Sequence, residues 1–151
     1  MGNRPRPSES QGDASRKAED IVEVAAGLVF RSGKLLITQR YAAAHQGGLW
    51  EFPGGKREPN ESFSECLTRE LIEELGIEVE VGKIVESILH QYPDKKVLLK
   101  FFRCHWKLNE PQALGCPDFR WVNREQLIDY QFLAADARIL EKLRSNNDWW
   151  Q

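Results

Sequence analysis

Apolar residues alternate or run together along most of the chain after residue 20, in patterns that predict β-strands. Two β-rich runs, "IVEVAAGLVF" and "LLITQR", are separated by "RSGK", with Ser32 and Gly33 at the turn. Such runs around a glycine-containing turn predict a β-hairpin. Further strands are predicted for "IEVEVGKIVESILHQY", "KVLLKFFRCHWKL" and "FRWV".

A change to helical spacing marks the middle of the chain. From Phe63 to Leu75 the apolar residues form one stripe at the period of an α-helix. Ser62 and Glu65 form an S-x-x-E capping box at its start, and Gly76 stands where the helix would end. A closing helix is predicted for "AADARILEKLRS". Because the strands are split by two helices and do not alternate with them, the pattern predicts an α+β fold with a mixed sheet between helices.

Composition divides the chain into one folded domain and two short ends. Residues 1–20 are polar, with two prolines and little to bury, and are predicted to form a disordered N-terminal tail. The predicted domain covers residues 21–145, and residues 146–151 are predicted to be a C-terminal tail. A chain of 151 residues is long enough for one domain with a sizeable core.

Charge and cysteine content argue against several classes of protein. A formal net charge of −2 gives no electrostatic footprint for duplex nucleic acid or an anionic membrane. No apolar run approaches the roughly 20 residues that a membrane span needs. The cysteines Cys66, Cys104 and Cys116 are odd in number and not in C-x-x-C pairs, which argues against disulfides or a zinc site. We therefore expect reduced, partly buried thiols in a cytoplasmic protein.

The central helix carries more negative charge than its own stability favours. Besides Glu65 of the capping box, four charged residues lie outside the apolar stripe: Arg69, Glu70, Glu73 and Glu74. Carboxylates at i,i+3 and i,i+4 repel each other. A solvated face with an Arg69–Glu73 pair is the alternative interpretation, but the preceding Gly54-Gly55 allows the backbone to approach the helix closely. Carboxylates and a backbone carbonyl are the oxygen ligands that Mg²⁺ prefers. The stretch therefore predicts a magnesium site.

The spacing of this stretch resembles the Nudix box at every defined position. The matching residues are Gly55, Glu61, Arg69, Glu70, Leu71, Glu73, Glu74, Gly76 and Ile77. The segments "AHQGGLWEFPGGK", "YPDKK" and "FLAADARILEKL" are similar to segments of the MutT-like branch, which hydrolyses nucleoside triphosphates such as 8-oxo-dGTP. In outline the resemblance covers residues 21–145. It implies the Nudix fold, an α/β/α sandwich around a mixed sheet.

The resemblance also implies roles for individual residues. The predicted metal ligands are Glu70, Glu73, Glu74 and the carbonyl of Gly54. The implied ion is Mg²⁺, with Mn²⁺ as the alternative. Glu61 and Arg69 are expected to form a supporting ion pair beside Gly55, and Lys56 is expected to face phosphate. The predicted catalytic group therefore combines the three metal-binding glutamates with Lys56 and Arg69.

One departure from the family pattern concerns the loop before "FRWV". MutT-like enzymes often carry a further glutamate there, as a metal ligand or a base. Here Gly115 or Cys116 stands at that position, and Glu110 and Asp118 flank it out of register. Either a flanking acid reaches the site or a box glutamate acts alone.

Base recognition is predicted for Asp136, at the start of the last helix. Its carboxylate could accept from guanine N1–H and N2–H, or from the cytosine amino group. A helix-dipole partner is the alternative interpretation. The other residues predicted at the nucleotide are Arg40, Phe52, Lys56, Tyr92 and Lys95. His45 is predicted to be structural or a weak pocket contact.

The predicted function is a magnesium-dependent nucleoside triphosphate pyrophosphohydrolase. Water would attack an inner phosphorus, Pβ as in MutT-like enzymes, and give a nucleoside monophosphate and pyrophosphate. Removal of 8-oxo-dGTP or other modified dNTPs is the leading role, and hydrolysis of CTP or 5-methyl-dCTP is the first alternative. Pro93 hints at an ADP-ribose-type hydrolase. A Nudix module that binds nucleotide or protein without catalysis is disfavoured, because all four box glutamates are present. The expected partner is a small-molecule nucleotide, with the oligomeric state left open.

Overall fold

A computed structural model of the protein describes residues 20–151, and the predicted tail lies outside this range except for exposed Asp20. The strands are β1 (Ile21–Arg31), β2 (Lys34–Gln39), β3 (Trp50–Glu51), β4 (Gly54–Lys56), β5 (Glu78–Tyr92), β6 (Lys95–Leu108) and β7 (Phe119–Val122). The α-helices are α1 (Phe63–Leu75) and α2 (Ala137–Ser145). Three 3₁₀ helices cover Arg124–Asp129, Ala134–Asp136 and Asn147–Trp150.

The seven strands form one mixed sheet. Its order is β3-β2-β1-β6-β5, with β4 paired to β1 and β7 paired to β2. β1 and β6 run parallel, whereas the other pairs are antiparallel. In the β1–β2 hairpin, Ser32 and Gly33 both have positive φ, 51° and 77°, as a type I′ turn requires. The predicted hairpin and mixed sheet are confirmed.

The two faces of the sheet carry separate apolar cores. Alternate residues of β1 divide between them: Leu28 packs in the core with Ile139 of α2, and Val29 packs in the core with Leu71 of α1. This alternation follows from the two-residue period of a strand. A helix therefore covers each face, and the predicted α/β/α sandwich of the α+β class is confirmed.

The predicted ends of α1 are also present. Ser62 accepts from the backbone N–H of Glu65, while the Glu65 side chain accepts from that of Ser62. Gly76 has a φ of 69° and donates to the carbonyl of Ile72. This start and end fix which residues of α1 face the sheet and which face outward.

The C-terminal residues differ from the prediction. Residues 146–151 were expected to form a tail, but Trp150 is buried against Phe30 with ring centroids 5.3 Å apart. The indole N–H of Trp150 donates to the carbonyl of Leu143 at 2.9 Å. The large apolar ring and its satisfied N–H stabilise this end of the chain, so the packed domain continues to Trp150.

The three cysteines are free and buried. Burial is the main cause that raises the thiol pKa, to about 11 for Cys66 and Cys116 and to about 12 for Cys104. They therefore act as small apolar side chains, as the sequence predicts.

Across residues 20–151, no helix combines the length and apolar character needed to cross a membrane.

Candidate active site

The glycine pair brings the β4 backbone against both β1 and α1. A Cβ on Gly54 would overlap the backbone carbonyl of Ala25, and one on Gly55 would overlap the carboxyl group of Glu70. Gly54 also has a φ of 158°. Both glycines are in close contact with their neighbours, but Gly54 meets backbone and Gly55 meets a movable side chain.

Arg69 is the centre of the charge network on α1. Its guanidinium donates to both carboxylate oxygens of Glu61, at 2.7 and 3.1 Å, and to the carbonyl of Lys56 at 3.1 Å. It also donates to Glu70 at 3.0 Å and to Glu73 at 3.3 Å. The hydrogen bonds from Arg69 are the main cause that lowers the pKa of Glu61 to about 2, and those bonds raise the pKa of Arg69. The structure therefore brings together Glu61 and Arg69 and joins the loop before α1 to the helix.

Glu74 lies on a different side of this network and has little compensation for its charge. Its Oε1 accepts from the backbone N–H of Gly54 at 3.3 Å. Burial, followed by the charge of Glu51, raises the pKa of Glu74 to about 8, and Glu70 contributes in the same direction. Burial likewise raises the pKa of Glu51, although its ion pair with Arg40 at 3.1 Å opposes the shift.

Glu51 is a site residue that the sequence analysis missed. It belongs to β3 and lies in the small cavity that also contacts Glu74 and Gly115. A glutamate one residue before Phe52, inside "WEFPGG", was a visible signal, but the pattern gave no indication of which side chain it would face.

The carboxylate oxygens of Glu70, Glu73 and Glu74 are suitable ligands for a divalent metal ion. In this structure, however, the three side chains do not converge on one point. Within residues 20–151, no three His, Cys, Asp or Glu side chains converge closely enough to hold a metal. Glu70 and Glu73 face Arg69, whereas Glu74 faces Gly54. The donors are all oxygens, as a hard divalent ion prefers, and half-buried Glu74 itself forms no ion pair with a cationic side chain in the described residues. The assignment of Glu70, Glu73, Glu74 and Gly54 as ligands stays a prediction.

One cavity of about 230 Å³ adjoins this acidic region. It is lined by all six residues predicted to contact substrate, namely Arg40, Phe52, Lys56, Tyr92, Lys95 and Asp136. Gly54, Gly55 and Glu51 also line it. The cavity therefore runs from the glycine pair of the box to the start of α2.

Asp136 presents an unpaired acid to this cavity. The residue is only 3% exposed, and its Oδ2 has no hydrogen-bond partner. It occupies the N-cap position of α2 without capping the helix through its side chain. Burial, followed by the charge of Glu51, raises the pKa of Asp136 to about 8. At neutral pH it is therefore mainly a neutral acid with one donor and one acceptor for a ligand.

The aromatic side chains predicted as stacking surface have different surroundings. Phe52 is buried, stacks on Phe132 with centroids 5.2 Å apart and contacts Phe101 edge-on at 6.1 Å. Phe132 was not predicted as a site residue, although it begins the segment "FLAADARILEKL" that resembles MutT-like proteins. Because neighbouring rings cover much of Phe52, only part of it lines the cavity.

Two loops meet at another part of the cavity wall. The ring of His45 contacts Tyr92 edge-on at 5.7 Å, and the Nζ of Lys95 lies 5.9 Å from the Tyr92 ring centroid. Arg40 donates to the carbonyl of His45 at 2.7 Å and also binds Glu51. Arg40 therefore holds the loop before β3. His45 belongs to this loop and also lines the cavity, so it has features of both alternatives predicted for it.

The loop before β7 contains Gly115 and Cys116, where the resemblance leads us to expect an acid. The N–H of Gly115 donates to the carbonyl of Glu74 at 2.9 Å, so this loop packs directly on α1. Of the flanking acids, Glu110 binds Arg31 at 2.9 Å and Asp118 binds Arg120. Both flanking acids are engaged in other ion pairs, which leaves the box glutamates and Glu51 beside the proposed site.

The family model of the NUDIX domain matches residues 25–142. The chain belongs to the Nudix family. It is a Nudix hydrolase similar to MutT-type proteins, as the box predicts, and members of this family generally need a divalent metal ion.

Named relatives and solved structures agree with this assignment. The chain is 40% identical over 126 residues to a CTP pyrophosphohydrolase from Escherichia coli K12, covering 80% of this chain and 90% of the relative. It is 41% identical over 88 residues to an 8-oxo-dGTP diphosphatase from Proteus vulgaris, covering 57% and 79%. The E. coli ORF135 protein has a TM-score of 0.71 at 38% identity, over 83% and 92% of the two chains. MutT from methicillin-resistant Staphylococcus aureus 252 has a TM-score of 0.69 at 28% identity, over 83% and 97%.

Proposed function

We propose that this Nudix hydrolase converts nucleoside triphosphates into nucleoside monophosphates and pyrophosphate, with 8-oxo-dGTP or another modified dNTP as the leading substrate. The observation that carries this proposal is the continuity of one cavity. Unpaired Asp136 and the glycines of the box line the same space of about 230 Å³. Such a space suits a ligand with a base at one end and a phosphate chain at the other.

The cofactor in this proposal is Mg²⁺, or Mn²⁺, held by the carboxylates of Glu70, Glu73 and Glu74 and by the carbonyl of Gly54. When bound, the ion neutralises phosphate oxygens and makes a coordinated water more acidic. Its oxygen-only ligands match the residues present. The Glu61–Arg69 ion pair supports these ligands by holding the loop on the helix.

The reaction needs a nucleophile, a proton acceptor and positive charge near the phosphates. The oxygen of water forms a bond to Pβ, and the bond between Pβ and the oxygen that bridges to Pα breaks. That bridging oxygen leaves with the nucleoside monophosphate, and the proton lost by water passes to a box carboxylate. Lys56, whose exposed side chain lines the cavity, supplies positive charge to the phosphate chain.

CTP or 5-methyl-dCTP is the second candidate substrate, and two observations favour it. The E. coli relative that matches over 80% of this chain is named a CTP pyrophosphohydrolase. Neutral Asp136 can donate to cytosine N3 and accept from the N4 amino group, a pairing as complete as the one it can make with guanine. Pro93, which hinted at ADP-ribose, lies between β5 and β6 at the hairpin turn and gives no further support to that alternative.

A substrate panel tests the proposal directly. Nucleotide products and kcat/KM would be compared for 8-oxo-dGTP, dGTP, CTP, 5-methyl-dCTP, ADP-ribose and diadenosine polyphosphates, each with Mg²⁺, and pyrophosphate would be measured for the triphosphates. We expect a triphosphate to be the best substrate and the modified or cytosine nucleotides to exceed dGTP. A sugar-linked diphosphate as the best substrate by a wide margin would refute the proposal.

A cytoplasmic location is proposed from the three unpaired buried cysteines.

A further inference from the structure

Glu86 is a buried charged side chain outside the acidic region of the box. It belongs to β5, and its side chain is only 5% exposed. The register of the β5–β6 pair shifts between Ile84 and Glu86. Such irregularities change the direction of side chains on a strand. Here the Glu86 carboxylate reaches α2.

Two cations of α2 bind this one carboxylate. The Nη2 of Arg138 lies 2.9 Å from Oε2 of Glu86, and the Nζ of Lys142 binds Oε1. Lys142 also donates to the carbonyl of Val85 at 3.0 Å. Because Arg138 and Lys142 are four residues apart, they lie on one side of the helix. The carboxylate therefore spans the first two turns of α2, and we call this group of three residues the Glu86 clamp.

The start of α2 lacks the features that normally stabilise a helix terminus. Its first turn contains no acidic residue, and the side chain at the N-cap position, Asp136, makes no capping bond. An aspartate there would ordinarily accept from a backbone N–H of the first turn. A cation such as Arg138 is unfavourable near the positive end of a helix dipole, so helix stability alone does not explain it. Glu86 gives that cation a partner and holds the first turn by a tertiary contact.

Attachment of α2 to the domain does not by itself require this clamp. Ile139 and Leu143 are both fully buried in the apolar core beneath the helix. Apolar contacts tolerate small rotations and shifts better than an ion pair with fixed hydrogen-bond geometry does. The clamp therefore determines the rotation and axial position of the first turn, directly after Asp136.

We propose that Glu86 is a positioning residue for nucleotide recognition, which holds the start of α2 so that the Asp136 carboxyl group remains free to face the base. The inference rests on the proposed function, because it assigns base recognition to Asp136. Glu86 touches neither the cavity nor the box and acts only through Arg138 and Lys142. It therefore affects the selectivity that Asp136 provides and takes no part in the bond-breaking step.

The test compares Glu86→Gln with the exposed control Glu141→Gln on the same helix. Gln keeps the shape of the side chain but removes the charge that binds both cations. We expect the ratio of kcat/KM between the best and second-best base to fall about three- to tenfold in Glu86→Gln, the size of a coupling between contacting residues. The kcat for a poor nucleotide should stay near the wild-type value, and the control should retain the full ratio.

A double-mutant cycle separates positioning from a general loss of structure. In an Asp136→Ala background, Glu86→Gln should change the ratio no further, since the residue it positions is absent. Arg138→Gln, at a side chain that is 68% exposed, breaks half of the clamp and covers the case in which Glu86→Gln does not fold. Arg138→Gln should also lower the ratio of kcat/KM between the two best bases, but by a smaller factor than Glu86→Gln. Additive effects in the cycle, or an unchanged ratio in both clamp variants, would overturn the proposal.

A measurement without nucleotide distinguishes failure of the clamp from failure of the proposed function. The amides of Asp136 and Ala137 donate to the carbonyls of Leu133 and Ala134, so their hydrogen exchange reports on the start of α2. Exchange at both should accelerate in Glu86→Gln and not in Glu141→Gln. Unchanged exchange would overturn the positioning role. If the wild-type enzyme hydrolysed none of the nucleotides, the proposed function would fail and the exchange result would decide the clamp alone.

Discussion

Asp136 and Glu51 line the same cavity of about 230 Å³, and neither acid lies on the helix that carries the Nudix box. Burial first and the charge of Glu51 second raise the pKa of Asp136 from 3.8 to about 8. The proposed base-recognition group is therefore mainly a neutral acid at neutral pH before a ligand binds. Both its hydrogen-bonding pattern and its effect on stability follow from that state.

The stability of the nucleotide-free protein should depend on pH through Asp136. Between about pH 4 and pH 8 the folded state keeps a proton that the unfolded chain has released, so the free energy of unfolding falls as pH rises. Asp136→Asn cannot release a proton, so it should become more stable relative to wild type across that interval. Thermal unfolding midpoints at pH 5, 6, 7 and 8 measure the difference. Asp129→Asn, at an exposed aspartate, controls for the loss of one negative charge. A constant difference between Asp136→Asn and wild type would contradict the raised pKa.

Base selectivity should separate Asp136→Ala from Asp136→Asn. Alanine removes the hydrogen bonds to the base and should cost about 1–3 kcal/mol in kcat/KM on the preferred nucleotide, with little effect on poor ones. Asparagine keeps one donor and one acceptor, as the neutral acid has, and should retain most of the selectivity. The measurement is the ratio of kcat/KM between the two best bases in all three proteins. Loss of selectivity in Asp136→Asn would indicate an ionised carboxylate that accepts two hydrogen bonds from guanine. Equal ratios in wild type and both variants would show that Asp136 does not recognise the base.

The metal assignment predicts strong effects from two isosteric substitutions on α1. Glu73→Gln and Glu74→Gln keep side-chain shape and helix propensity but remove charge from the proposed ligand set. Each should lower kcat on the order of 10²-fold or more, with the fold retained. Glu141→Gln on α2 is the matched control, because it is an exposed helical glutamate. Near wild-type turnover in both box variants, measured over a range of Mg²⁺ concentrations, would reject these residues as ligands.

Glu61 should behave differently from Glu73, because it supports the loop and is not a proposed ligand. Its two hydrogen bonds from Arg69 join the loop to α1. Glu61→Gln should therefore reduce activity less than Glu73→Gln but lower the thermal midpoint more, since Arg69 loses its main partner. Activity and unfolding would be measured on the same preparations. A metal ion in direct contact with Glu61 in a metal-bound structure would show that the supporting role is wrong.

The features that were predicted from the sequence are those encoded by short-range patterns. The Ser62–Glu65 capping box, the Ser32-Gly33 turn and the apolar stripe of α1 each depend on residues a few positions apart. The box residues were found in the same way, because their spacing along one helix is itself the signal. Asp136 was found through resemblance, and the structure adds that its carboxyl is buried and unpaired.

The features that were missed depend on contacts between distant parts of the chain. Glu51 and Glu86 are single acids in strand-like runs, and nothing in the local pattern shows that one faces Glu74 and the other faces α2. Trp150 follows a polar stretch, so it was assigned to a tail, whereas its partner Phe30 lies 120 positions earlier in the sequence. In each case the partner was determined by strand order and helix placement, which residue spacing does not encode.

The two glycines of the box should respond differently to the same substitution. A methyl group at Gly54 would overlap the backbone carbonyl of Ala25, which β1 and its neighbouring strands hold in place, and the positive φ adds strain. At Gly55 it would overlap only the carboxyl end of Glu70, a side chain that can turn away. Gly54→Ala should therefore lower the thermal midpoint markedly. Gly55→Ala should keep a near wild-type midpoint but lose activity and require more Mg²⁺, because Glu70 is displaced from the proposed ligand set. Unfolding curves and Mg²⁺ titrations of both variants measure the contrast, and a Gly55→Ala enzyme with unchanged Mg²⁺ dependence would argue that Glu70 does not bind the metal.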